Sequence, residues 1–161
     1  MPERPAVNAS PLIFLSRAGL LDMFKLEGEE IVITKTVAEE IRRRGPDDLT
    51  VQAIERTAWL TVIDAPSIPD TIRAWDLGDG EASVLAWGYA NPGTVIIVDD
   101  LAARRCAATL GIPVRGTLGL ILTAKKRGLI PEARPVLEKL RQSGMYLSDR
   151  VLNRALALVE E

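Results

Sequence analysis

At 161 residues and 17.6 kDa the chain is long enough for one substantial core and short for two, and 47% hydrophobic against 26% charged residues argues against extended disorder. A single cysteine, Cys106, excludes an internal disulfide, and the absence of histidine excludes cysteine–histidine zinc sites, so any metal must be held by oxygen. The net charge of −2 conceals a division: residues 1–100 carry 9 basic and 17 acidic side chains, the rest 11 and 5, or −8 against +6. That division would set an acidic cleft beside a phosphate-attracting surface, or be the ordinary scatter of a solvated surface, and the negative total does not exclude RNA. No run reaches the roughly 18 apolar residues of a membrane span, and the start lacks a basic-then-apolar leader pattern, so the expected compartment is the cytoplasm.

Ala6-Val7 reads as a short strand ending near Asn8, with Ser10 expected to cap the following helix and Pro11 at its first position, where a missing N–H costs nothing. Ile31-Val32-Ile33 predicts the next strand, and Thr34 or Thr36 caps a helix with Val37 and Ile41 on one face and Glu40 beside them. Gly45-Pro46 stops that helix. An amphipathic stretch from Leu49 to Thr57 and a strand over Leu60-Thr61-Val62-Ile63 follow. Leu77-Gly78-Asp79-Gly80-Glu81 breaks the pattern before Ala82, Leu85, Ala86 and Tyr89 repeat at helical spacing, with Asp79 the expected cap and Glu81 in the first turn. Thr94-Val95-Ile96-Ile97-Val98 is the strongest strand signal; it lacks alternation, as a central parallel strand covered on both sides does, and runs straight into Asp99-Asp100.

Arg104 to Leu110 continues as helix, Ile112-Pro113-Val114 predicts a brief peripheral strand, and Gly116-Thr117 introduces a helix from Leu118 to Arg127. The chain after Leu129-Ile130-Pro131 reads as helical, divided at Ser143-Gly144, with Ser148 capping the last segment. Alternating strand and helix signals predict an α/β fold, a three-layer α/β/α sandwich with a central parallel sheet. Residues 1–161 are expected to form one domain, with 129–161 a C-terminal helical segment. The apolar patterning of those last helices exceeds what one small sheet obviously covers, which predicts a homodimer.

In an open parallel sheet the carboxyl ends of the strands open onto a crevice, and Asn8, Asp99 and Asp100 fall at such ends, with Glu40 and Glu81 on helices that would reach it. Converging carboxylates repel unless a cation neutralises them, and Mg²⁺ or Mn²⁺ accepts an all-oxygen set. Such an ion polarises a phosphodiester and lowers the pKa of attacking water without a histidine or a nucleophilic serine. Each acid also has a structural reading. Asp99 or Asp100 would cap the next helix, Glu81 would favour its helix's positive end, and Glu39-Glu40 would pair with Arg42-Arg43-Arg44. Cys106, on an apolar helix face, reads as a buried small hydrophobe, and Trp59, Trp75 and Trp87 as core or interface residues. Arg104 and Arg105 would suit backbone phosphates, which give affinity without sequence selection.

The order of Asn8-Ala9-Ser10-Pro11-Leu12-Ile13, Val37-Ala38-Glu39-Glu40, Leu77-Gly78-Asp79-Gly80-Glu81-Ala82, Val98-Asp99-Asp100-Leu101-Ala102-Ala103-Arg104 and Gly116-Thr117-Leu118-Gly119 resembles the PIN-domain superfamily. The ending from Gly128-Leu129-Ile130-Pro131 to Leu147-Ser148-Asp149-Arg150 is similar to its uncharacterised branch related to VapC toxins. The resemblance implies sheet order 3-2-1-4-5, homodimers, and Mg²⁺- or Mn²⁺-dependent endoribonuclease activity on single-stranded RNA, often neutralised by an antitoxin protein. It implies Asn8, Glu40, Glu81 and Asp100 as metal-site residues, Asp99 as an additional ligand, and Ser10 as the hydroxyl that orders the first loop. Asn8 departs from the family's acid: its amide oxygen coordinates a metal but brings no charge and cannot act as a general base. The alternative is a catalytically silent PIN-like module that binds RNA or a protein.

Overall fold

In the computed structural model, which describes residues 4–161, five parallel strands form one sheet of order β3-β2-β1-β4-β5: β1 (Ala6–Val7), β2 (Ile31–Thr34), β3 (Leu60–Ile63), β4 (Ile96–Ile97) and β5 (Val114–Arg115). Nine α-helices among the described residues flank it in a three-layer α/β/α arrangement: α1 (Ala9–Arg17), α2 (Lys35–Arg42), α3 (Leu49–Arg56), α4 (Asp70–Arg73), α5 (Asp79–Ala90), α6 (Leu101–Thr109), α7 (Thr117–Lys126), α8 (Arg134–Gln142) and α9 (Asp149–Leu158). A 3-10 helix over Leu21–Leu26 and the short α4 carried no clear signal in the sequence. Among the described residues no helix is long and apolar enough to cross a membrane.

The strand runs lack alternation because both faces are covered: Ala6, Val7, Ile31, Val32, Ile33, Ile96 and Ile97 are wholly buried in one core cluster. From β1 in the middle the chain winds outward through β2 and β3, then returns to the other side for β4 and β5. The switch therefore lies between β1 and β4, where Ala6 registers with Ile96 and Val7 with Ile97, and it brings Asn8 next to the chain leaving β4. Asn8 itself prolongs the pairing, its N–H donating to the Ile97 carbonyl at 2.9 Å.

Several local expectations are corrected. Asn8, not Ser10, is the cap residue of α1, and Ser10 lies inside its first turn. Pro11 tolerates this because none of the first-turn N–H groups has an intrahelical acceptor. Gly78 takes the cap position of α5, leaving Asp79 as the first helical residue. The Thr94–Val98 run forms a strand over only Ile96–Ile97: the Thr94 N–H is used in a turn to the Asn91 carbonyl at 3.1 Å, and past the strand the Val98 N–H still donates to the Arg115 carbonyl at 2.9 Å. Its partner strand is Val114–Arg115 rather than Ile112–Val114, Pro113 having no N–H to give. Arg44 pairs with Asp48 at 2.9 Å, and neither Glu39 nor Glu40 forms an ion pair among the described residues.

The C-terminal helices are not left uncovered. Leu137, Leu140, Leu147, Leu152, Leu156 and Val159 join the same core, with α8 and α9 both packed on α7. Cys106 is wholly buried on α6, where burial pushes its thiol pKa up. Trp59, Trp75 and Trp87 are half-buried against the core, and Trp87 Nε1 donates to the Arg4 carbonyl at 2.9 Å.

Candidate functional site

Four helices start at the carboxyl end of the sheet, three of them immediately after a polar residue, α1 after Asn8, α2 after Thr34 and α6 after Asp100, and the fourth, α7, after Gly116. Asn8 stands at the centre, only 4% exposed. Among the described residues its Oδ1 is buried with no hydrogen-bond partner. It faces the first turn of α5 at Gly80: a Cβ built there would lie 3.4 Å from Asn8 Oδ1 and 2.9 Å from Glu40 Oε2. Glycine thus leaves the gap across which an amide oxygen from the first strand and a carboxylate from α2 meet.

A buried hydroxyl chain holds these elements together. Thr34 Oγ1 caps α2 by accepting the Val37 N–H at 3.2 Å and lies 2.8 Å from Ser83 Oγ, which donates to the Gly80 carbonyl at 2.7 Å. The Ser83 proton being committed to Gly80, the Thr34 hydroxyl must donate to Ser83. This clamp sets the start of α5 against the start of α2, and Ser83 gave no sign of it in the sequence, where it is one small residue on an apolar helix.

The other acids are placed differently. Glu81 is half-buried and turns its carboxylate back to the N-cap of its own helix, so that a Cβ on Gly78 would lie 2.6 Å from its Oε2. Asp99 spends both oxygens on one residue: Oδ1 accepts the Thr117 N–H and Oδ2 the Thr117 hydroxyl, both at 2.7 Å. It caps α7 from the neighbouring strand. Asp100, exposed, caps α6 by accepting the Ala103 N–H at 2.9 Å. Ser10 is exposed, and its side chain makes no hydrogen bond among the described residues. On the far side of Asp99, the half-buried Arg104 lays its guanidinium against Gly116, where a Cβ would overlap Nη1.

The structure brings Asn8 and Glu40 together at Gly80, while Glu81, Asp99 and Asp100 each lie at the start of a helix. Among the described residues no three of Asp, Glu, Cys or His gather as a metal-holding group. A hard divalent ion is held by several anionic oxygens converging on one point, and here the central residue is a neutral amide, with two of the acids engaged as caps. Asn8 leaves the central position without the charge that would draw such an ion most strongly. What the crevice does offer is a pair of acceptor oxygens at Gly80 and, beside Asp99, an arginine fork.

Comparison with curated proteins returned no significant match. Residues 5–161 match the family profile of the PIN domain, nearly the whole chain, and the order 3-2-1-4-5 implied by the sequence resemblance is the order observed. With its parallel sheet, its crevice at the switch point and a matching profile over that length, the chain belongs to the PIN-domain family.

Proposed function

We propose that this chain is an RNA-binding PIN module that holds single-stranded RNA along the carboxyl-end crevice without cleaving it. The observation that carries this reading is the fate of the acids: Asp99 is committed to Thr117, Asp100 to Ala103, and the central position is the neutral Asn8. Binding of a phosphate backbone needs only donors and positive charge, whereas its metal-assisted hydrolysis is favoured by a carboxylate at the central position, where this chain has Asn8.

A second reading is a Mg²⁺- or Mn²⁺-dependent endoribonuclease of the branch related to VapC toxins, paired with a protein antitoxin and working as a homodimer. One observation favours it: the Asn8 Oδ1, buried and without a partner among the described residues, faces the same glycine as the Glu40 carboxylate. In that reading Asn8, Glu40, Glu81, Asp99 and Asp100 are the metal site and Ser10 orders its first loop.

One experiment separates the two. Wild type, Asn8→Asp and Glu81→Gln, each checked for folding, are mixed with labelled single-stranded RNA of mixed sequence in chelator, Mg²⁺ or Mn²⁺, and both retention and cleavage are followed. The expected result is retention by wild type under all three conditions and no cleavage. Cleavage appearing only in Asn8→Asp would support a retained scaffold with a silent natural site. Metal-dependent cleavage by wild type that disappears in Glu81→Gln would overturn the binding module in favour of the nuclease. Neither retention nor cleavage by any folded variant would overturn both.

A further inference from the structure

Arg104 lies in the first full turn of α6, its N–H donating to the Asp100 carbonyl at 3.0 Å. Ala103, Cys106 and Ala107 face inward on that helix, so Arg104 emerges at the margin of the buried face and leans over the loop between β5 and α7. Gly116 accommodates it there. The backbone at Gly116, φ −100° and ψ 170°, is extended and open to any residue, so the glycine is not required by its conformation. What it leaves is room: a Cβ would overlap Arg104 Nη1, the end of a flexible side chain that would have to move aside.

The guanidinium gains no partner from this placement. Asp99 is the carboxylate beside it, its Oδ1 being 3.2 Å from that same Cβ position, but each Asp99 oxygen accepts from Thr117 and among the described residues Asp99 forms no ion pair with Arg104. Among the described residues Arg104 forms no ion pair and its side chain donates no hydrogen bond, in contrast with Arg4, Arg44, Arg115 and Arg141, all of which pair with acids. A half-buried planar fork with unspent donors is a match for the two non-bridging oxygens of a phosphate. The Asp99 charge does not forbid an anion here, being offset by two donated hydrogen bonds and by the positive end of the ten-residue α7.

We propose that Arg104, seated on Gly116, is the backbone-phosphate contact of the crevice and that its ligand is one phosphodiester of single-stranded RNA. This rests on the RNA-binding reading above.

The test is the salt dependence of binding by the full chain, using labelled single-stranded RNA of mixed sequence in chelator, for wild type, Arg104→Gln, Arg104→Lys and Gly116→Ala. Loss of one phosphate contact on a single strand should make the plot of log affinity against log salt shallower by about 0.7. Arg104→Gln should show that change with affinity lowered about tenfold, as for the loss of one charge-assisted contact. Arg104→Lys should weaken binding while keeping the wild-type slope, because the charge stays and the fork is lost. Gly116→Ala should weaken binding by displacing the guanidinium, with a thermal midpoint close to wild type. An Arg104→Gln chain that binds with the affinity and slope of wild type would overturn this inference and leave the RNA reading standing. Weaker binding with an unchanged slope and a lowered thermal midpoint would assign Arg104 a structural role and overturn it as well. Absence of binding by folded wild type would overturn the RNA reading itself, and this inference with it.

Discussion

At the scale of single residues, the molecule distinguishes polar groups that carry structure from those left available to a ligand. Asp48 is of the first kind. Its Oδ1 accepts the Thr50 N–H at 2.8 Å and the Val51 N–H at 3.3 Å, and Arg44 donates to Oδ2 at 2.9 Å. Burial alone would raise its pKa, but the Arg44 bond, the two N–H bonds and the Arg44 charge together hold it below the ordinary 3.8. A carboxyl whose folded pKa is depressed contributes its stability in full above the unfolded value and loses it as pH falls through the folded value. Asp48→Ala is therefore expected to cost about 1 kcal/mol at neutral pH, as the loss of a helix cap does, with the deficit shrinking once the pH drops below the ordinary carboxylate range. Urea titrations of both proteins across that range check it, and a deficit that is constant into strong acid would refute the ionic part. Asn8 is of the second kind, a 4% exposed amide whose acceptor has no partner among the described residues.

At the scale of elements, the crevice depends on how closely α5 lies on the sheet. Gly88 permits that approach: a Cβ there would stand 2.7 Å from Ile112 Cγ2 and 2.9 Å from Ile96 Cγ2. Both neighbours are β-branched core residues, buried and stiff, so neither gives way easily. Alanine would improve helix propensity by about 1 kcal/mol, while overpacking such a contact costs about 1–3 kcal/mol. Strain should win, and Gly88→Ala is expected to lower stability by about 1 kcal/mol in denaturant unfolding; a stabilised protein would show that α5 can lift off without penalty. Gly80 is a different case, since the atom its Cβ would meet first is the mobile end of Glu40.

At the scale of the whole molecule, the C-terminal helices close the fold instead of waiting for a partner. The Glu161 carboxylate accepts the Ala133 N–H at 2.6 Å and the Arg134 N–H at 3.1 Å, with Lys125 Nζ 3.4 Å away, so it closes the start of α8. The Ala133 bond is the main cause holding its pKa below the ordinary value. The apolar stripes that suggested a homodimer are thus buried within one chain, and pairing now rests on the family resemblance and on scattered exposed residues such as Leu101, Leu129, Tyr146 and Leu158. Under the nuclease reading a homodimer is expected in sedimentation equilibrium at micromolar concentration. A concentration-independent species of 17.6 kDa would remove the dimer from that reading.

What the sequence by itself determined is what short stretches of chain decide. Apolar runs marked β2, β3 and β4 as strands, the lack of alternation marked β4 as doubly covered, and Thr34 and Ser148 marked helix starts, because capping and strand burial act over a few neighbouring residues. The sheet order followed from the family resemblance, not from any local pattern. Candidate acids were likewise legible by type and position, yet their roles were not. Whether Asp99 faces a ligand or caps a helix depends on Thr117, 18 residues on, and the clamp between Thr34 and Ser83 spans 49 residues. Asn8, Glu40 and Gly80 meet only because the crossovers set β1 beside both β2 and β4 in one register and α5 lies close on that sheet. Such meetings are decided by strand register and helix packing distance, which depend on the whole core at once, so no local pattern in the chain records them.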